Sequence, residues 1–187
     1  LRYAEGFTDI KKIAFKQSHG LDERSGLYSM FLSPSFFSKK QIKEVTLVIE
    51  SILTFDSNAS LCIKFHPKTE YRFIDIFDNV LSQKTSNYKI FSGSTGDRVN
   101  LDIILSSKCI LQKQSTVGFI AMITSVPMIS YDILDTGYYD DMYKYMKASW
   151  HCESTKAIIQ SLRMLNDSLE LQKLRELQDI ACSKFCL

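Results

Sequence analysis

The sequence lacks strong charge of either sign, long apolar runs and paired cysteines, and each shortage removes a class of function. Its 187 residues include 23 basic and 21 acidic side chains, for a net charge of +2. Proteins that grip a phosphate backbone or an anionic membrane carry a basic patch. Here the lysines are scattered (Lys11, Lys12, Lys39, Lys40, Lys43, Lys144, Lys147) and read as solvated faces, so no nucleic-acid partner is expected. No apolar run reaches bilayer length; the longest, such as Val117 to Ile123, are core-sized. No secretory leader is evident. None of the five cysteines (Cys62, Cys109, Cys152, Cys182, Cys186) belongs to a CxxC pair, and no further His or Cys pair completes a zinc set with Cys182 and Cys186. Reduced thiols, a cytoplasmic setting and no bound metal are therefore expected. A GxGxxG turn, a Walker loop and a GxSxG elbow are missing too, which argues against the common dinucleotide, P-loop and α/β-hydrolase readings. The chain opens on Leu1 rather than methionine, which points to a processed chain or a fragment.

What is present is ordinary in amount and regular in order. Hydrophobic residues make up 45% and charged residues 24%, and the length suits one α/β domain with peripheral helices. Residues 1–26 are mixed, with one helical turn near Asp9 to Phe15, and read as a linker or a segment leaning on something else. From Leu27 onward short apolar runs alternate with amphipathic stretches. The runs Leu27–Leu32, Leu61–Phe65, Tyr88–Phe91, Cys109–Leu111, Pro127–Tyr131 and Trp150–Cys152 predict strands. Between and after them, helices are expected over Lys39–Phe55 behind Ser38, from Thr69 to Gln83, Val99–Leu105, from Ser115 to Thr124, Tyr138–Lys147, Thr155–Leu165 and Ser168–Phe185. Uniformly apolar strands separated by helices predict a Rossmann-like, doubly wound parallel sheet of the α/β class. Ligands of such sheets bind outside the carboxyl ends of the strands.

Two of those strand-end loops carry candidate chemistry. In Gln112-Lys113-Gln114-Ser115-Thr116-Val117-Gly118 a strand hands over to a helix through two hydroxyls and a glycine. A helix start has unpaired N–H groups and partial positive charge, which suits a phosphate. The plainer alternative makes Ser115 a cap and Gly118 a packing residue. In Lys64-Phe65-His66-Pro67-Lys68 a histidine follows a buried strand and is held extended by Pro67. Such an imidazole can hydrogen-bond a phosphate or protonate a leaving oxygen; a structural histidine at the next helix cap is the alternative. Lys64 and Lys68 read as solvated. His19, His151 and the Asp140-Asp141 pair read as structural or surface residues.

Together these loops resemble a known family. The run Cys109 to Met122, followed by Val126-Pro127-Met128-Ile129-Ser130-Tyr131, resembles the donor-binding half of GT-B glycosyltransferases. The His66-Pro67 pair with the later Ser115-Thr116 pair is similar to bacterial sialyltransferases, polysialyltransferases and capsule Kdo transferases. The resemblance covers roughly residues 27–165. It implies a CMP-sugar donor, with His66 and Pro67 at the phosphate and His66 assisting departure. It places Ser115 and Thr116 at phosphate or ribose, beside Gln114 and Gly118, and Ser92 and Gly93 near the cytosine or its ribose. The glutamate with which many GT-B enzymes grip ribose has no clear match; Gln112 or Gln114 occupies that stretch, which favours CMP over UDP or GDP.

The resemblance further implies a missing N-terminal GT-B domain, on which residues 1–26 pack, and a C-terminal helix, 166–187, beside the 27–165 core. It implies a glycan or glycolipid acceptor in surface polysaccharide or lipo-oligosaccharide synthesis, no cofactor, and contact at most peripheral with the inner membrane. The isolated domain is expected to be inactive, since the base lies in the other half. The rival expectations are a CDP-glycerol-type polyol-phosphate transferase, a nucleotide-sugar epimerase, and a flavodoxin-like binding module.

Overall fold

Strands that are apolar on both faces need cover on both faces, and the fold supplies it. The computed structural model describes residues 7–34, 36–93, 96–113, 115–136 and 146–185. Six strands, β1 (Leu27–Leu32), β2 (Ser60–Phe65), β3 (Tyr88–Phe91), β4 (Cys109–Gln112), β5 (Met128–Tyr131) and β6 (Trp150–Cys152), form one sheet in the order β3-β2-β1-β4-β5-β6. Every pairing is parallel. This is the doubly wound α/β order with its reversal between β1 and β4.

The described helices are α1 (Asp9–Ser18), α2 (Lys39–Phe55), α3 (Tyr71–Ser82), α4 (Gly96–Ser106), α5 (Val117–Ile123), α6 (Thr155–Met164) and α7 (Ser168–Phe185). They divide between the two faces because strand residues alternate. Tyr28, Met30, Leu32, Leu61, Ile63, Phe65, Leu111 and Ile129 pack a first core with Val48, Ile49 and Ile52 of α2, Phe77 and Leu81 of α3, and Ile158 and Leu162 of α6. Leu27, Phe31, Cys62, Ile110 and Met128 pack a second with Phe15 of α1, Ile103 and Ile104 of α4, Ala121 and Met122 of α5, and Ala181 of α7.

Local chemistry sets the helix starts. Ser38 and Gln41 form a reciprocal capping box: the Gln41 N–H donates to Ser38 Oγ at 3.2 Å and the Ser38 N–H to Gln41 Oε1 at 2.9 Å. The Ala157 N–H donates to Ser154 Oγ at 3.1 Å. Three starts differ from the sequence reading. The single turn expected near Asp9 is a ten-residue helix, held because Phe15 enters the second core. Thr69 does not cap α3, which begins behind Glu70; its hydroxyl instead donates to the Pro34 carbonyl at 2.9 Å. Val99–Leu105 extends to Gly96–Ser106. The helix expected over Tyr138–Lys147, with Asp140 and Asp141, falls on residues 137–145 outside the described part; Met146 and Lys147 form a turn.

No helix among the described residues is long and apolar enough to cross a membrane. The four described cysteines are free thiols. Burial pushes the Cys62 thiol up to about 12, which predicts that it reacts with iodoacetamide only after unfolding; modification at neutral pH in the native chain would show otherwise.

Candidate functional site

The parallel strands deliver all their following loops to one edge. At the β1/β4 reversal the loop after β1 leaves for α2 on the first face, and the loop after β4 leaves for α5 on the second. Two loops parting toward opposite faces open a crevice, and its walls include Ser33–Pro34 on one side and Lys113, Ser115 and Thr116 on the other. A cavity of about 30 Å³, room for roughly one water, lies in its first-face side between Pro34, Gln41, Glu44, Lys113 and Tyr131. Tyr131 stays protonated there, because burial and then the nearby Glu44 carboxylate raise its pKa.

Behind that cavity lies a buried ionic cluster. Lys113 Nζ reaches Glu44 Oε2 at 2.9 Å, Asp132 Oδ1 at 2.5 Å and Thr136 Oγ1 at 2.5 Å. Glu44, only 1% exposed, also accepts the Leu134 N–H at 3.0 Å. The ammonium that sequence alone leaves unassigned therefore ties the ends of β4 and β5 to α2.

His66 stands at the end of β2, one strand from β1. Its N–H donates to the Leu32 carbonyl at 2.9 Å, so pairing with β1 continues one residue past the strand. The Lys68 N–H donates to its Nδ1 at 3.1 Å, which leaves Nε2 as the protonated nitrogen of the neutral ring. The ring is exposed. Pro67 follows it in the same turn.

Ser115 and Thr116 share that edge, following β4, which lies two strand spacings, about 10 Å, from β2. The helix opens later than expected, at Val117, and it is only seven residues long. Its first amides are already used: the Val117 N–H donates to Ser115 Oγ at 3.3 Å, the Gly118 N–H to the Ser115 carbonyl at 3.0 Å, and the Phe119 N–H to the Thr116 carbonyl at 3.1 Å. A tight turn thus engages the amides of Val117, Gly118 and Phe119 within the chain. Thr116 is exposed and Ser115 half-buried. Gly118 is buried within α5. Gln114 lies outside the described residues. Gln112 is fully buried on the second face, its amide donating to Met128 Sδ at 3.6 Å, which removes it from the ribose.

Ser92 and Gly93 follow the edge strand β3, two strands away from β1. Gly93 holds φ at +70°, a conformation that costs a side-chain-bearing residue about 1 kcal/mol. Its carbonyl is bound by Lys64, and here a sequence expectation fails. Lys64 is not solvated but 5% exposed, because two-residue alternation along β2 turns it to the second face with Cys62. Its ammonium donates to the carbonyls of Phe65 (2.9 Å) and Gly93 (3.0 Å), joining the end of β2 to the loop after β3. Burial lowers its pKa. A lysine depressed in the fold binds fewer protons folded than unfolded, so stability rises as pH climbs through the folded value toward 10.5. Urea unfolding is expected to show the wild type gaining on K64M between pH 7 and 10; parallel pH profiles would refute this.

The other histidines are structural. His19 Nδ1 lies 2.7 Å from the Phe15 carbonyl, with its ring against Phe15 and Phe91. His151, on β6, pairs with Ser130 Oγ at 3.2 Å and Glu153 at 3.3 Å. Among the described residues no group of three or more His, Cys, Asp or Glu converges on a point where a metal could sit. A cleft of about 340 Å³ at the opposite, amino edge is lined by Lys12, Lys108 and Arg175 and contains none of the predicted site residues.

This backbone has counterparts of known structure. A variant of the wall teichoic acid polymerase TagF superposes with a TM-score of 0.67 at 15% identity, over 97% of this chain and 44% of that one. The fold is one half of the GT-B architecture. The GT-B half also matches WaaG, a glycosyltransferase involved in lipopolysaccharide biosynthesis (TM-score 0.56, 17% identity, 90% of this chain and 45% of that one). It matches the UDP-GlcNAc 2-epimerase of Methanocaldococcus jannaschii in complex with UDP-GlcNAc and UDP (0.61, 16%, 96% and 49%). The chain thus spans less than half the length of these structures. No protein-family model matches the sequence, and no curated protein does.

Proposed function

We propose that this GT-B half binds the nucleotide carrier of an activated group and that a second domain completes a glycosyltransferase. The supporting observation is the crevice at the β1/β4 reversal, with hydroxyls at Ser115 and Thr116 on one wall and the exposed His66 one strand beyond the other. In this reading His66 Nε2 donates to the donor phosphate and protonates the leaving oxygen. Ser115 and Thr116 hold phosphate or ribose, and Ser92 and Gly93 border the base. Pro67 keeps His66 extended, and Gln114 and Gly118 complete the loop. Residues 27–165 form the nucleotide-binding core; 1–26 and 166–187 carry the connection to the second domain. The acceptor is a glycan or glycolipid at the cytoplasmic face of the membrane, and the isolated half binds without turnover.

A cytidine carrier is favoured, and the CMP-sugar reading remains the first choice. Glu44 and Asp132, beside the crevice, are held by Lys113. A CDP-linked polyol is the second reading, favoured by the likeness to TagF, which has also been seen soaked with CDPG (TM-score 0.67).

Titration of the isotope-labelled chain with CMP, CDP and UDP tests both. Cytidine nucleotides are expected to shift His66, Ser115 and Thr116, with UDP weaker. H66A is expected to cost roughly tenfold or more in affinity, the worth of one hydrogen bond to a charged group. Because His66 is exposed, its melting temperature should hardly move. Silence of these three residues toward all three nucleotides would defeat the reading.

A further inference from the structure

We propose that Lys113 is a positioning residue of the crevice. Three segments distant in sequence meet at its ammonium: α2 through Glu44, the loop after β5 through Asp132 and Thr136, and the β4–α5 loop that Lys113 itself begins. The side chains are poorly accessible, at 13% for Lys113, 2% for Glu44 and 17% for Asp132, so water screens them little. A compact ammonium donates in several directions around one point; a planar guanidinium does not. Ser115 and Thr116 lie two and three residues further on. The anchored Lys113 stem ties the start of that loop to α2 and to the loop after β5. The Leu134 N–H, donating to Glu44, fixes the facing loop by the same carboxylate.

The consequence for binding rests on the donor reading, whereas the positioning itself does not, and the experiment separates them. Amide resonances of Ser115, Thr116 and Leu134 are compared between wild type and K113A, without nucleotide, and then with propylammonium added to refill the vacated ammonium position. K113A is expected to move all three amides, and propylammonium to return them toward wild type. CDP affinity should fall at least tenfold in K113A and recover with the same additive. An exposed lysine variant, K68A, should leave the three amides in place.

Unmoved Ser115 and Thr116 amides in K113A would overturn the proposal, as would CDP binding equal to wild type. Failure of wild type itself to respond to CDP would remove the donor reading, leaving the positioning to be judged on the amides. Should K113A not fold, K113M, which keeps the stem, takes its place. The wild-type Lys113 ammonium must in any case give a slowly exchanging nitrogen-15 signal, and its absence would sink the idea.

Discussion

Replacing Phe77 with alanine is expected to cost about 3–5 kcal/mol, the range for a large aromatic removed from a packed core. Phe77 is fully buried on α3, with ring centroids 5.3 Å from Phe37 and 5.5 Å from Phe65. Phe37 also stands 6.1 Å from Phe65 and 5.5 Å from Phe73, so the void opens inside an aromatic cluster. The damage reaches the site by connection. Phe65 immediately precedes His66, and Phe37 lines the crevice cavity. Urea unfolding measures the loss, and a cost below about 1 kcal/mol would mean that the cluster is loosely packed.

Glu44 to alanine comes next, at about 2–3 kcal/mol. The substitution removes a carboxylate that holds Lys113 and orphans the Leu134 N–H. Breaking a buried pair leaves a group without compensation, which costs more than the pair contributes when intact. Asp132 still holds the ammonium, and that keeps the expected figure below the upper range for such pairs. E44Q retains an acceptor for Leu134 and should lose less. Equal stability of E44A and wild type in chemical denaturation would show that the cluster is solvated rather than buried.

Much of the fold was legible because it rests on local pattern. Leu27–Leu32 is apolar throughout, and a strand buried on both faces is the arrangement that accommodates it. Ser38 and Gln41 announce α2 by a bond that spans three residues. The carboxyl edge was identifiable for the same reason: once strands and helices alternate in a parallel sheet, chirality places every strand-end loop together. Sequence pattern alone therefore puts His66, Ser92, Ser115 and Thr116 on one edge.

What the pattern missed depended on partners far away in the chain. Lys113 and Glu44 are 69 residues apart, and nothing near either one marks it as half of a buried pair. Lys64 read as solvated because lysine usually is; only the cover over the second face makes it a buried donor to Gly93. The start of α5 shifted by two residues because the Ser115 hydroxyl bonds Val117, a choice between two nearby geometries that sequence leaves open.

Sequence by itself thus determined the class of fold, the edge to which the strand-end loops come and the residue types presented there, since periodicity and strand direction act within one element or between neighbours. Tertiary structure alone decided which charges are spent internally and which amides remain for a ligand, since desolvation and pairing depend on groups that meet only when distant segments pack.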